Sequence, residues 1–201
     1  ERPFFIWSSQ ELTSEHEQTR NTMAKGGKET MAKVYVPEKA TCMPDKKVFL
    51  ARAGARYAFL VKEKDFMERA NRLFLEGFSH IDPVIYYITS DSQTLLPQLL
   101  PSIFQGVKQV TVFLSTLGEE IDNLISSYLN RGKTFDAFLL DAWASEALET
   151  LNESFDKELR QKFGEGTMRF SPGYGDVDVR MNQYIVKELI RVENVRVLSS
   201  G

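Results

Sequence analysis

Thr167-Met168-Arg169-Phe170-Ser171-Pro172-Gly173-Tyr174-Gly175-Asp176 sets an arginine, a phenol, an acid, a proline and two glycines side by side. Pro172-Gly173 predicts a turn, because proline presets its own φ and glycine accepts positive φ without a Cβ clash. Gly175 adds a second permissive point beyond Tyr174, so a ligand can approach the backbone closely. Arg169 offers a planar fork suited to carboxylate or phosphate. Tyr174 offers an aromatic face and a hydroxyl. Asp176 can accept from an ammonium or cap the next helix. On residue types alone the stretch is either a ligand loop or a plain strand-to-helix turn. In the second case Arg169 is exposed, Tyr174 packs at the core edge and Asp176 starts a helix.

Upstream of this stretch, residues 134–163 read as one long helix. Phe135, Leu139, Trp143, Ala147, Leu151, Phe155 and Leu159 recur every four residues and mark it as the central helix. Its other face carries Glu146, Glu149 and Glu153. Glu149 and Glu153 are one turn apart and repel; a bound ammonium relieves that, and so does pairing of Glu153 with Lys157. Before it, Gln109 to Ser115 is the clearest strand. Thr116-Leu117-Gly118-Glu119 has capping-box spacing, and Ile121, Leu124, Ile125, Tyr128 and Leu129 form the stripe of a helix that Arg131-Gly132 ends. That helix start suits an anion or is simply well capped.

Further toward the N-terminus, Val84 to Thr89 reads as a buried strand and Asp65 to Phe78 as an amphipathic helix. Pro97 and Pro101 interrupt the apolar run Leu95 to Phe104, so a short or broken helix is expected there. Val48-Phe49-Leu50 and Tyr57 to Val61 read as a hairpin about Ala53-Gly54. Residues 1–33 read as a polar, mobile N-terminal segment, with an aromatic run Phe4-Phe5-Ile6-Trp7 that is coincidence or a core anchor. Residues 34–201 then form a single domain, which a helix over Val177 to Val192 and a strand over Val195 to Ser199 complete. Strand and helix runs without strict alternation predict an α+β class.

The 201 residues are 42% hydrophobic with a net charge of -3, so no basic footprint for nucleic acid is present. No stretch is apolar enough to span a bilayer and no signal-peptide pattern opens the sequence, so the expected location is the cytoplasm, away from any membrane. One cysteine, Cys42, excludes an internal disulfide and suits a reducing compartment. His16, His80 and Cys42 are too few for a zinc site; His80 reads as a turn or surface histidine and Cys42 as an inert residue. There is no G-x-G-x-x-G after a strand and no Walker A sequence, which argues against a Rossmann-type methyltransferase.

Arg169-Phe170-Ser171-Pro172-Gly173-Tyr174-Gly175-Asp176 resembles the signature of the activation (reactivation) domain of vitamin B12-dependent methionine synthase, in its stand-alone bacterial form. Val112-Phe113-Leu114-Ser115-Thr116-Leu117-Gly118 and Leu140-Asp141-Ala142 resemble two further family stretches in the same order. The resemblance covers about residues 84–200. It implies a curved, mainly antiparallel sheet flanked by helices. It also implies a role in methyl transfer: reductive methylation of cob(II)alamin, with S-adenosylmethionine as methyl donor and a flavodoxin-type protein as electron donor. No Asp-x-His-x-x-Gly is present, so the cobalamin belongs to the partner, a cobalamin-binding methionine synthase chain. The implied S-adenosylmethionine contacts are Arg169 to the carboxylate, main chain of Phe170, Ser171, Pro172 and Gly173 to adenine or ribose, Tyr174 where ligand and corrin meet, and Glu153 or Asp176 to the ammonium. No residue stands out as a general base, and transfer to a cobalt nucleophile needs none. The alternatives are a non-catalytic ligand-sensing or interaction module on the same fold, and a plain structural domain.

Overall fold

β4 (Gln109–Thr116) is the inner strand of a four-stranded antiparallel sheet in the computed structural model, which describes residues 5–9, 32–54, 62–104 and 106–192. All but its two end residues are buried, as expected of a β-rich apolar run covered on both faces. β3 (Val84–Asp91) flanks it on one side and β1 (Phe5–Ser9) on the other. β2 (Lys33–Tyr35) pairs outside β3, giving the order β1-β4-β3-β2. The register sets Tyr87 opposite Phe113, Thr89 opposite Thr111 and Ile85 opposite Ser115.

Alternation divides the sheet residues between two cores. On one face Ile85, Tyr87 and Phe113 meet the long helix α4 (Thr134–Phe163). The Phe155 ring lies 5.3 Å from Tyr35, 5.2 Å from Tyr87 and 5.1 Å from Phe113, centroid to centroid, so one helical side chain ties three strands together. Thr89 and Thr111 share a 2.9 Å hydroxyl hydrogen bond beside them. On the opposite face Ile88, Val110, Val112 and Leu114 pack with Leu99, Phe104, Ile185, Val186 and Ile190.

Helices α1 (Lys46–Arg52), α2 (Lys64–Ser79) and α3 (Glu119–Asn130) surround α4. The α2–α4 contact is close: a Cβ on Gly77 would stand 2.6 Å from Trp143 Cε3. Trp143 is fully buried there, with Phe74 edge-on to it at 5.9 Å. Burying a large apolar side chain in this way contributes about 1.5–3 kcal/mol. The same helices share charged ties. Buried Asp136 is paired with Arg69 and stands 3.8 Å from Arg72. The Tyr128 hydroxyl donates to Glu76 at 2.8 Å.

The helix over 64–79, the strands over 84–91 and 109–116, the broken run at 95–104 and the helix over 134–163 agree with the expectations. Three expectations are corrected. Val48-Phe49-Leu50 is helical: the Asp45 carboxylate accepts from Lys47 N and Val48 N and caps α1, while Phe49 and Leu50 are buried against α4. A three-residue apolar run has no period that separates strand from helix, and the cap decides. The proposed partner strand, Tyr57 to Val61, lies outside the described residues, as does Val195 to Ser199.

The second correction is at the N-terminus. Phe5–Ser9 pairs with β4 from Phe5↔Phe113 to Ser9↔Gln109, so Phe5, Ile6 and Trp7 belong to the sheet. Residues 10–31, the bulk of the expected polar segment, lie outside the description. The third is at Val177 to Val192. Helix α5 (Met181–Tyr184) starts later, after tight turns, and Ile185–Ile190 continues it with π-helical spacing. Arg191 ends it in the left-handed region at φ 59, letting Val192 N donate to Val186 O at 3.1 Å.

Candidate functional site

Ser171-Pro172-Gly173-Tyr174 closes as a β-turn, with Tyr174 N donating to Ser171 O at 3.2 Å. Gly173 takes φ 94 at the third position, which a Pro-Gly pair is suited to supply. A second turn follows: Val177 N donates to Tyr174 O at 3.3 Å, and Gly173 N to Val177 O at 2.9 Å. Ser171 and Pro172 are buried; Gly173 to Asp176 are exposed. Tyr174 is 69% exposed and does not pack at the core edge as the plain-turn reading expects.

Two contacts fix this loop on the sheet layer. The Phe170 ring packs edge-on to Phe104 at 6.1 Å. A Cβ on Gly175 would stand 3.0 Å from Phe170 Cζ, so the second glycine is required by closeness as well as by its φ of 57. Asp176 accepts from Ser102 N with both carboxylate oxygens, at 3.2 and 3.0 Å. It thus caps the Ser102–Phe104 turn, far away in sequence, and not the helix after it. Hydrogen bonds from Ser102 hold its carboxyl below the ordinary range. Asp178 occupies the helix-start position instead: it accepts from Arg180 N and from the Arg180 guanidinium, which brings its carboxyl down to about 2.

Helix α4 meets the incoming chain from the other side. Arg160 donates to Gly166 O at 3.1 Å and Thr167 O at 3.0 Å, with its Nε on Asp156 at 2.9 Å. Arg169 Nη2 stands 3.5 Å from Glu149 Oε2, the two side chains 20% and 34% exposed. Glu153 is exposed on the next turn of the helix. Of the two acids weighed on this face, the structure therefore brings Glu149 against Arg169. The long separation between the two residues gave sequence reasoning no way to choose.

Sequence reasoning missed Asn152. It is fully buried on α4, and among the described residues neither its amide oxygen nor its amide nitrogen has a hydrogen-bond partner. The one available signal was an amide three residues after Glu149 at the border of the apolar stripe.

The other candidates are structural. The Thr116 capping box does not form. Gly118 precedes α3 at φ 89, and Thr116 Oγ1 accepts from Gly118 N at 3.0 Å. Glu119, Glu120 and Asp122 in the first turn of α3 complement its dipole and disfavour an anion there. His80 ends α2 beside Glu76 O at 2.7 Å. Cys42 is buried, and desolvation pushes its thiol up to about 11, so it is inert. Among the described residues no group of His, Cys, Asp and Glu could hold a metal ion, and no helix is long and apolar enough to cross a membrane.

No protein-family model matches the chain, and neither does any curated protein.

Proposed function

We propose that the chain is an S-adenosylmethionine-binding module of the methionine synthase activation type. In this reading it supports reductive methylation of cob(II)alamin carried by a partner methionine synthase, with a flavodoxin-type electron donor, and its sheet is the curved one of that family. The observation that carries the reading is the loop at 169–175. It presents an exposed aromatic ring between two exposed glycines, and the Arg169 guanidinium at its start is paired with an acid of α4. These groups suit the ligand. Arg169 offers its fork to a carboxylate. The exposed backbone of Gly173 to Gly175 can lie against adenine or ribose. Tyr174 offers its face to a flat ring or a sulfonium. Glu149 is the acid nearest the guanidinium and the natural partner for an ammonium. S-adenosylmethionine, when bound, supplies the methyl group; the chain contributes position and electrostatics.

Calorimetric titration of S-adenosylmethionine into the protein tests this. Arg169→Ala is expected to weaken binding at least tenfold, about 1.4 kcal/mol. Unchanged affinity removes Arg169 from the site.

The second reading is a non-catalytic ligand-sensing or interaction module. The chain's own bonding favours it: Glu149 already meets Arg169, and Asp176 already caps Ser102. A pull-down with a cobalamin-bearing methionine synthase separates the two, since only the first reading expects capture.

A further inference from the structure

Glu149, Asn152, Asp156 and Arg160 follow one another at the three- and four-residue steps that share one face of a helix. The face is polar from end to end, and the chain at 166–169 is held to it by Arg160 at one end and by Arg169 at the other. Between these clamps lie polar atoms that nothing answers. Asn152 is fully buried with both amide atoms unpartnered, and the Oδ1 of Asp156 is buried without a partner while its Oδ2 takes Arg160. Buried amides are almost always hydrogen-bonded, because stripping one of water and offering nothing back is costly. Unmet donors and acceptors one turn apart on a helix face call for a partner from outside the fold. A hydrophobic residue of similar size would make a better core.

We propose that the seam between α4 and residues 164–169 is a binding cleft, and that Asn152 is its polar anchor for the amino-acid end of the ligand. The inference rests on the reading above and adds to it a recognition residue in the helix, behind the exposed loop. The Asn152 Nδ2 suits a carboxylate that Arg169 also holds. The Asn152 Oδ1 and the free oxygen of Asp156 suit an ammonium. An α-amino acid carries both groups on adjacent atoms, as the seam requires. The cover over the cleft is an irregular surface segment held by polar contacts. Glu165 is fully exposed, Met168 is 71% exposed, and residues 164–169 belong to no helix or long strand. A segment held by a few polar contacts opens at low cost.

The test uses the whole chain, S-adenosylmethionine as probe, and two readouts on Asn152→Leu: affinity by calorimetry and Tm by calorimetric melting. Leucine keeps the volume and removes the amide. The expected result is a loss of affinity of at least about tenfold with Tm unchanged or raised, since no internal hydrogen bond is lost. Asn152→Asp gives a second check. It keeps the acceptors and loses the donor, and the added charge repels the ligand carboxylate, so affinity again falls. Binding by Asn152→Leu within about twofold of wild type overturns the assignment while the S-adenosylmethionine reading stands. A Tm lowered by more than about 4 °C shows a structural amide and overturns it as well. If the wild-type protein takes up no S-adenosylmethionine, the functional reading fails and this inference falls with it.

Discussion

Around Phe155 three aromatic rings from three strands converge on one helical side chain. Around Gly173, a few residues past the end of the same helix, the chain is held by turn hydrogen bonds, a carboxylate on Ser102 N and an ion pair to Glu149. The first region cannot lose a methylene without leaving a void, because interiors are close-packed. The second keeps its shape through directional bonds while leaving a tyrosine and two glycines in solvent. One region supplies stability and the other supplies a surface; the cost of substitution should divide the same way.

The largest effect is expected at the aromatic hub. Phe155→Ala should lower the unfolding free energy by about 3–5 kcal/mol, read from denaturant melts. A loss under half of that would mean the sheet face collapses onto the vacancy. Next comes the helix contact. Gly77→Ala sets a methyl group 2.6 Å from Trp143 Cε3 and should cost about 1–3 kcal/mol of overpacking. A neutral result would mean α2 slides along α4. In the loop the scale is smaller. Gly173→Ala must hold φ 94 with a Cβ and should cost about 1 kcal/mol; its S-adenosylmethionine affinity, measured in parallel, should fall further than that stability change explains.

The smallest effect in the series is at Asp176, and it depends on pH. Its carboxyl is lowered in the folded protein by Ser102, so the stabilisation is complete above its unfolded value and disappears as pH falls through the folded one. Asp176→Asn should therefore melt slightly below wild type at pH 7, and the gap should close as the pH falls into the acid range. A difference that persists in acid would mean the cap works without charge.

Much of the fold was legible. The four-residue recurrence from Phe135 to Leu159 marked the central helix, because one face of a long helix meets one core; its first member, Phe135, is nonetheless 46% exposed. The buried run at 109–116 marked the inner strand. The turn at Ser171–Tyr174 was legible down to the residue needing positive φ. What failed was short or non-local. Val48-Phe49-Leu50 was read as a strand, since the helical period needs more residues than the run contains. Phe5–Ser9 was not placed, since a strand's partner is set by the whole sheet. In the site, Arg169 and Tyr174 were legible as chemistry, yet the choice of Glu149 over Glu153 beside Arg169 was not, and Asn152 went unnoticed.

The sequence by itself determined what depends on nearest neighbours along the chain: the helical stripe of α4, the Pro-Gly turn and the prolines that break 95–104. Only the tertiary structure decided which distant groups meet. Asp176 reaches Ser102, Glu149 reaches Arg169, and Gly77 lies against Trp143 because closing a compact core brings together segments that local propensity cannot relate.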